Sequence, residues 1–450
     1  MMRTCIAIIA ILVCAGCQKV EQFEYAAPVS IPHTARQMKS PGFWIGKIPY
    51  PDLTALTPSE IVKFNYHIAH QLKLTTDFKS IPSKFSGTSL RQSFSEDLQG
   101  QQRNARFDKS GRKVSRQFFD QIKANINMAA IPASVPARFG FVSRYADQRI
   151  LPSDEILTGK PFDFEFDELQ NSSLDIGTPL VIVAETKDQV WVYAHAPTSS
   201  GWVKKSRVAL CSEDDFKQFS YGRATFVVIA PKADIYLDEG LTKYYDYVRM
   251  GAAFPGIGAS GDAAQIIIPV RSIDGKFVER AAFVKYSDVH IGYLPFTSRV
   301  IIEQAFKLLN APYGWGGTDG EQDCSSFIQQ IFATVGIDLP RNSAAQGNVG
   351  KNLGVFDATT PERKKIFTLI KEGIGGITLI QLKGHVLLYL GMDKGRFYAI
   401  HETYGYGQFL GARKISRIVN RVVVSDLSLG KGSQKGSLLE RVVSIRKLVF

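Results

Sequence analysis

The chain has 450 residues, 45% of them hydrophobic, and a formal net charge of +12. This length exceeds what one hydrophobic core supports, so we expect three or four domains. The cations are spread along the chain without one basic block, which disfavours nucleic-acid binding and suits anionic envelope polymers or simple solubility. Beyond the first residues no apolar run is long enough to span a bilayer, which disfavours an integral membrane protein.

The N-terminus is typical of an exported protein. Residues 1–16 contain an apolar run, Cys5 to Ala15, that is too short for a transmembrane helix. The following CAGC, Cys14 to Cys17, resembles a bacterial lipobox, although Cys14 departs from the usual Leu or Val. We predict a signal peptide over 1–16, lipidation at Cys17 and a tether over 17–40, with ordinary secretion as the alternative. The protein would then face the periplasm or cell wall, attached to the membrane by its lipid alone.

Residues 41–136 predict a helical N-terminal domain. In LTPSEIVKFNYHIAHQL, Thr57 can cap a helix that has Pro58 at its first position. A second helical pattern occurs in RQFFDQIKANI. His67 and His70 have a spacing that could hold a metal, but without a third ligand they are better explained as surface histidines, and we predict no metal or cofactor.

The middle of the chain changes to short β-rich runs broken by turn residues. Two such runs followed by Gly-Trp-Val resemble bacterial SH3-type barrels. We expect two small SH3-like β-barrels, over 137–212 and 222–295. His195, His290 and Cys211 fall within these β regions, where packing is the ordinary role for such residues.

Residues 296–450 predict an α+β domain. A helical pattern that ends near Asn310 is followed by a second one starting at or next to Cys324, and strand patterns follow beyond Lys371. After the signal the chain has cysteines only at 17, 211 and 324, and none is in a C-x-x-C spacing. This pattern disfavours a disulfide scaffold or a thiolate zinc site.

Cys324 has the features of a nucleophile. The free N–H groups of a helix start favour a thiolate, so we expect the pKa of this thiol to be lowered. A base is also needed, and His385 and His401 are the histidines that follow in the sequence. If their strands pair as a hairpin, His401 can orient His385. From the residues alone, chance or core packing is an equal alternative.

Four motifs in the order PYGWGG, DCSSF, LPRNSAAQ and GHVLLYLG resemble the NlpC/P60 family of cysteine peptidases. The upstream order, with RFGFVSRYADQRILP leading the first β region, is similar to that of the SH3-containing γ-D-glutamyl-L-diamino acid endopeptidases of this family. The resemblance implies an α+β fold, in which a papain-like catalytic domain follows two SH3-like barrels and a helical N-terminal domain.

The resemblance also implies the residues of a site. It implies Cys324 as nucleophile, His385 as base and His401 as orienting residue, Tyr313 at the oxyanion, and substrate contacts from Asp323, Ser325, Trp315, Arg341 and Ser343. The alternatives are a loop anchor for Arg341 and a turn or helix cap for Ser343. Asn342 stands where relatives tend to have Asp, which weakens the expected preference for a free N-terminal L-Ala. Tyr193 is the expected aromatic contribution of the first barrel.

The predicted function is hydrolysis of the bond between γ-D-Glu and the L-diamino acid in peptidoglycan stem peptides or muropeptides, by a monomer. The alternatives are a Cys-His acyltransferase and a non-catalytic peptidoglycan-binding lipoprotein. The barrels would wall the site or tether the enzyme to the wall. Whether the diamino acid is lysine or diaminopimelate stays open.

Overall fold

A computed structural model describes residues 30–221, 225–410 and 413–450. The predicted signal peptide and Cys17 lie outside the described residues. Within them, none of the helices has the length and apolar character needed to cross a membrane.

Helices occur at both ends of the described chain and flank its β-rich middle. They are α1 (Pro41–Ile45), α2 (Pro58–Tyr66), α3 (Gly87–Gln102), α4 (Arg116–Ile126), α5 (Glu213–Tyr221), α6 (Ser298–Lys307), α7 (Cys324–Ala333), α8 (Ser343–Gln346) and α9 (Glu362–Glu372). The predicted start of α2 is confirmed, because Thr57 caps it and Glu60 reaches back to the Thr57 N–H at 2.8 Å.

Two short strand pairs tie distant segments together. They involve β1 (Thr54–Leu56), β2 (Lys84–Ser86), β3 (Ser134–Pro136) and β18 (Phe296–Thr297). β1 pairs with β18, and β2 pairs with β3, both antiparallel.

The first large sheet has seven strands in the order β10-β4-β7-β8-β9-β5-β6. They are β4 (Arg138–Val142), β5 (Ala146–Arg149), β6 (Gln170–Leu174), β7 (Pro179–Glu185), β8 (Trp191–His195), β9 (Ser200–Lys204) and β10 (Val208–Cys211). The second sheet has the order β13-β12-β16-β15-β14-β11-β17. Its strands are β11 (Thr225–Val228), β12 (Lys232–Tyr236), β13 (Tyr244–Arg249), β14 (Ala253–Ser260), β15 (Ala263–Arg271), β16 (Phe277–Lys285) and β17 (Val289–Ile291).

The prediction of two closed barrels is wrong, because each sheet is open and has two edge strands. Other parts of the chain cover both edges of the first sheet. The Leu210 N–H of β10 donates to the Gly275 carbonyl of the second sheet at 3.0 Å. At the other edge, β6 lies against the loop 315–320 of the C-terminal domain. Edges covered in this way do not need to pair with each other.

The third sheet has six antiparallel strands in the order β19-β24-β20-β21-β22-β23. They are β19 (Lys351–Val355), β20 (Thr378–Leu382), β21 (His385–Asp393), β22 (Arg396–Leu410), β23 (Arg413–Asp426) and β24 (Val442–Lys447). Helices α6 and α7 share one buried cluster with this sheet, and Leu369 of α9 belongs to another. The predicted order of helices followed by an antiparallel sheet is confirmed except at β19, which precedes α9.

The helical N-terminal domain expected over 41–136 is not confirmed as a separate unit. Trp44 and Phe64 are buried in the same cluster as Ile301 and Phe332 of the C-terminal domain. The buried side chains of α3 and α4 instead pack against the first sheet, where Phe94 contacts Trp202 with ring centroids 5.2 Å apart. The apolar side chains of the N-terminal segment therefore pack partly against the C-terminal domain and partly against the first sheet.

Candidate active site

Cys324 is the first residue of α7, as the sequence predicts. The helix begins there because the Asp323 carboxylate accepts hydrogen bonds from the N–H groups of Ser325 at 3.1 Å and Ser326 at 2.9 Å. The cysteine is 8% exposed. One cap therefore fixes both the start of the helix and the position of the thiol.

The predicted lowering of the thiol pKa is wrong. Burial, followed by the negative charge of Asp323, raises the pKa of Cys324 to about 12, although backbone hydrogen bonds from Val386 and Ser325 and the charge of Arg341 act in the opposite direction. Desolvation outweighs the helix start. The raised pKa favours the neutral thiol, so a reaction at this sulfur would require a base to remove its proton.

The two histidines lie together at one end of the third sheet. The backbone of Val386, the residue after His385, acts to lower the pKa of Cys324, and α7 packs against β21. His385 Nε2 lies 2.9 Å from His401 Nδ1, and His401 Nε2 lies 2.8 Å from the Ser425 hydroxyl. The predicted hairpin of β21 and β22 is confirmed by its register. Sequence reasoning missed Ser425, since nothing near it in the chain points to the site.

Both imidazoles are neutral in this environment. Burial, then the positive charge of Arg441, lowers the pKa of His385 to about 4. The same burial effect lowers the pKa of His401 well below its usual value. A neutral imidazole can accept a proton, which is what a general base requires.

A Gly-rich loop carries Tyr313 and Trp315. Gly316 and Gly317 have φ values of 62° and 88°, and a Cβ at Gly317 would lie 2.0 Å from the Ser173 hydroxyl. Only glycine therefore permits both the backbone turn and the close approach of β6. Burial raises the pKa of Tyr313 well above its usual value, so its hydroxyl keeps its proton and can donate.

The first sheet supports this loop directly. The Tyr145 hydroxyl donates to the Gly317 carbonyl at 2.7 Å, and Trp315 Nε1 donates to the Asp167 carbonyl at 3.0 Å. The ring of Phe166 contacts Trp315 and Tyr404, at centroid distances of 5.3 and 4.9 Å. The loop position is thus fixed by two domains.

Tyr193 is not at the site, contrary to expectation. It is 6% exposed and packs between Phe94 and Trp202, at centroid distances of 4.8 and 5.4 Å. Phe166, in the segment between β5 and β6, is an aromatic side chain of the first β region whose ring contacts both Tyr313 and Trp315. Residues 162–167 alternate aromatic and acidic side chains as a strand would, but they form turns, so the pattern does not indicate that Phe166 reaches the loop.

Arg341 binds the Asp323 cap. Its guanidinium donates to Asp323 Oδ1 at 3.0 Å and Oδ2 at 2.7 Å, and to the Ser325 hydroxyl at 2.9 Å. Its Nε also donates to the Ser172 hydroxyl of β6 at 3.1 Å. Burial disfavours the Asp323 charge, but Arg341 and the cap hydrogen bonds hold the pKa of Asp323 below its usual value. The anchor interpretation of Arg341 agrees with these contacts, and Asp323 and Ser325 both bond within the protein.

Asn342, not Ser343, caps α8, since its side-chain oxygen accepts from the Ala345 N–H at 2.8 Å. Ser343 is the first residue of the helix and is partly exposed. The exposed side chain at 342 is an amide, so this position offers no carboxylate to a substrate amine.

Glu402 is a buried acid that sequence reasoning missed. Its side chain is 0% exposed; Oε2 accepts from Gln322 Nε2 at 3.4 Å, and Oε1 has no partner among the described residues. Burial raises the pKa of Glu402 to about 9. This carboxyl is therefore protonated at neutral pH.

Four other histidines have local partners, and Cys211 packs against a small hydrophobic cluster. His195 Nδ1 lies 2.7 Å from the Ser200 hydroxyl, and His290 Nδ1 lies 3.0 Å from the Gly292 carbonyl. Burial raises the pKa of Cys211 to about 12, which suits a packing residue. His67 and His70 contact Gln71 and Asp77 respectively. No group of three His, Cys, Asp or Glu that could hold a metal ion occurs in the part of the chain that the structure describes.

Two family models match the chain. Residues 310–428 match the NlpC/P60 family and residues 159–204 match an SH3 domain of the SH3b1 type. The NlpC/P60 match covers the Gly-rich loop, Cys324 and both histidines. The SH3 match covers β6 to β9 with the loop that carries Phe166.

Curated relatives each match about a quarter of the chain. The chain is 34% identical over 114 residues to the gamma-D-glutamyl-L-lysine dipeptidyl-peptidase of Bacillus subtilis, covering 25% of this chain and 36% of that protein. It is 32% identical over 111 residues to a probable endopeptidase p60 of Listeria seeligeri, covering 24% of this chain and 20% of that protein. The matches span about a third or less of these relatives.

A solved structure matches far more of the chain. An NlpC/P60 endopeptidase from Photobacterium damselae subsp. piscicida superposes with a TM-score of 0.71, over 88% of this chain and 94% of that one. At 19% identity this likeness establishes a shared fold.

Proposed function

We propose, from the match of residues 310–428 to the NlpC/P60 family, that the protein is a cysteine endopeptidase that hydrolyses the γ-D-glutamyl-L-diamino acid bond of peptidoglycan stem peptides or muropeptides. One observation carries the proposal. Cys324 begins α7, which packs against β21, the strand that begins at His385; His385 Nε2 contacts His401 Nδ1, and His401 Nε2 in turn contacts the Ser425 hydroxyl.

In this mechanism His385 takes the proton of the Cys324 thiol as the sulfur attacks the γ-carbonyl carbon of D-Glu. The Tyr313 hydroxyl and the backbone N–H of Cys324 donate to the oxyanion that forms. The oxyanion collapses, the C–N bond breaks, and the His385 imidazolium gives its proton to the leaving amine. Water, deprotonated by the same imidazole, then hydrolyses the thioester and restores the thiol.

His401 and Ser425 act as positioning residues in this proposal. A hydrogen bond to one imidazole nitrogen determines which nitrogen of His385 is free to accept a proton. With Nε2 of His385 facing His401 at 2.9 Å, Nδ1 is the nitrogen left for the thiol. The neutral state of both rings suits this arrangement, because a neutral imidazole is both donor and acceptor.

The first sheet acts as part of the substrate cleft. Phe166 and Trp315 supply an apolar wall, and Arg341 holds the Asp323 cap to Ser172. These contacts favour a role in walling the site over one in tethering the enzyme. The Asn342 amide predicts weak discrimination between free and blocked N-terminal L-Ala, because it lacks the negative charge that would attract an ammonium group.

We also propose that the protein is exported and held at the membrane by a lipid on Cys17. That assignment depends on the CAGC sequence, which lies outside the described residues. Metabolic labelling with a fatty acid tests it, since Cys17→Ala would lose the label and be released from membranes.

The test of the activity is release of the diamino acid from L-Ala-γ-D-Glu-diaminopimelate and its lysine counterpart by the purified chain, followed by mass spectrometry. We expect release by the natural chain and none by Cys324→Ala. Uncleaved peptide with retained sacculus binding would point to a binding module instead. Transfer of the acyl group to an added amine in preference to water would point to an acyltransferase.

A further inference from the structure

Arg441 lies at the His385 end of the third sheet. It directly precedes β24, beyond residue 428 where the NlpC/P60 match ends. Val442 pairs with Leu382, and Leu382 pairs with His385. Neighbouring strands lie about 4.8 Å apart, so the backbone at 441 is roughly 10 Å from that of His385, within reach of a long side chain. The Arg441 charge accordingly acts on both His385 and His401.

Arg441 differs from the other buried arginines because its charge is not neutralised. Arg149, Arg249 and Arg341 each contact an aspartate at 2.6 to 2.8 Å. Within the described ranges no carboxylate pairs with Arg441, and the neighbouring Glu440 directs its carboxylate to the Ser437 N–H at 2.5 Å. An arginine that is partly removed from water without a partner is the arrangement expected of a site for an anionic ligand.

A second cation stands at the same end. Lys383 is exposed in the turn that joins β20 to β21, two residues before His385. Arg441 and Lys383 therefore place two positive charges on the side of the imidazole. Unlike the lysine, the arginine has a planar fork that can hold a carboxylate through two hydrogen bonds.

The proposed mechanism determines which part of the substrate lies on the His385 side of the cleft. His385 protonates the leaving amine in the proposed mechanism, so the departing diamino acid lies next to this imidazole. The two common alternatives differ at the far end of their side chains. Diaminopimelate ends in an ammonium group and a carboxylate, whereas lysine ends in an ammonium group alone. The two cations attract the distal carboxylate of diaminopimelate and repel the ammonium group of lysine.

We propose that Arg441 is a specificity-determining residue that binds the distal carboxylate of the leaving diamino acid, so that the protein prefers diaminopimelate to lysine. This inference rests on the proposed function. It assigns to this chain a different diamino acid from the one named for its Bacillus subtilis relative.

The experiment compares kcat/KM for three tripeptides, L-Ala-γ-D-Glu linked to diaminopimelate, to diaminopimelate with its distal carboxylate amidated, and to lysine. We expect the natural chain to prefer the free acid by about tenfold over the other two. Arg441→Gln should remove most of this preference by slowing cleavage of the free acid only. Lys364→Gln, which removes an exposed cation from α9, should keep the preference.

The lysine peptide serves as the folding control, because a correctly folded Arg441→Gln, which no longer repels the lysine ammonium group, should cleave it at least as fast as the natural chain does. If this variant fails to fold, the comparison of free and amidated diaminopimelate with the natural chain still decides. Equal rates on all three peptides, or a parallel loss on all three in Arg441→Gln, would overturn the inference, since the arginine would then act on the imidazoles alone. Absence of any cleavage by the natural chain would overturn the proposed function instead.

Discussion

Two buried arginines join strand β6 to neighbouring parts of the fold. They differ in the aspartate that each one also binds. Arg341 of the C-terminal domain donates to Ser172, and Arg249 of the second sheet donates to Ser173. Each arginine also forms an ion pair with an aspartate, Arg341 with Asp323 and Arg249 with Asp175. The first aspartate caps the helix that begins at Cys324, whereas the second lies between the two sheets.

This contrast separates stability from activity. Both pairs bury charge and join two domains, so loss of either arginine leaves an uncompensated carboxylate. Only one of these carboxylates is next to the candidate nucleophile. The first junction is therefore expected to matter for catalysis and the second for cohesion alone.

The largest expected effect comes from removing each arginine in turn. Arg341→Met and Arg249→Met should each destabilise the protein by about 3–5 kcal/mol, the cost of breaking a buried pair. Arg341→Met should also lower kcat/KM by about 100-fold, a loss on the scale of a misplaced reacting group, because the Asp323 cap loses its anchor. Urea midpoints and the peptidase assay measure the two effects. An equal loss of activity in Arg249→Met would remove the distinction between the junctions.

A smaller effect is expected for Phe166, an uncharged side chain through which the first β region contacts the cleft. Phe166→Ala should raise KM by about tenfold, because its ring packs on Trp315 and Tyr404 beside the substrate. The exposed Phe164 on the same segment provides a matched control. Phe164→Ala should leave KM unchanged. A normal KM in Phe166→Ala would restrict the first sheet to holding the Gly-rich loop.

Glu402 can be compared with Asp323 and Asp175, because no arginine among the described residues neutralises its carboxyl group. Its pKa is raised to about 9 when folded, against the ordinary value of 4.5 for an exposed Glu. Folding therefore favours the protonated form, and the stability that this form provides is lost as the pH rises from about 4.5 to about 9. Glu402→Gln should raise the Tm relative to the natural chain at pH 8.5, with a smaller difference at pH 5. Calorimetry at both pH values checks this, and a pH-independent difference would mean that Glu402 is ionised throughout.

The smallest effects are expected at the two serines of β6. Ser172→Ala and Ser173→Ala each remove one hydrogen bond to a charged group and should destabilise by about 1–2 kcal/mol. Ser172→Ala should also reduce kcat/KM a few-fold through Arg341. Ser173→Ala should not. The same assay with both variants decides whether the activity effect follows the Arg341 contact.

Local features of the site were predictable from the sequence. Asp323 before an amphipathic run marks the start of α7, and Thr57 with Glu60 marks the start of α2. The turn GMDKGR between two apolar runs predicts the hairpin that brings His385 and His401 together. In each case the signal lies within a few residues of the feature it specifies. The catalytic roles of these residues stay predictions.

Features that depend on distant contacts were not predictable. The pKa of Cys324 follows from burial by other elements, which outweighs the local helix start. The first sheet stays open because other parts of the chain cover its edges. Tyr193 and Phe166 differ in whether the fold turns them to the core or to the cleft, and no periodicity in their own segments specifies that.

The pairing of β1 with β18 joins residues 54–56 to residues 296–297, and the buried Trp44 and Phe64 have their packing partners in the last third of the chain. Synthesis from the N-terminus therefore leaves these aromatic side chains without a native burial site until the C-terminal domain has been made. For the same reason, a recombinant fragment that starts at residue 296 would expose the apolar surface that they cover. Such a fragment should aggregate, and adding residues 30–72 in trans should restore its solubility.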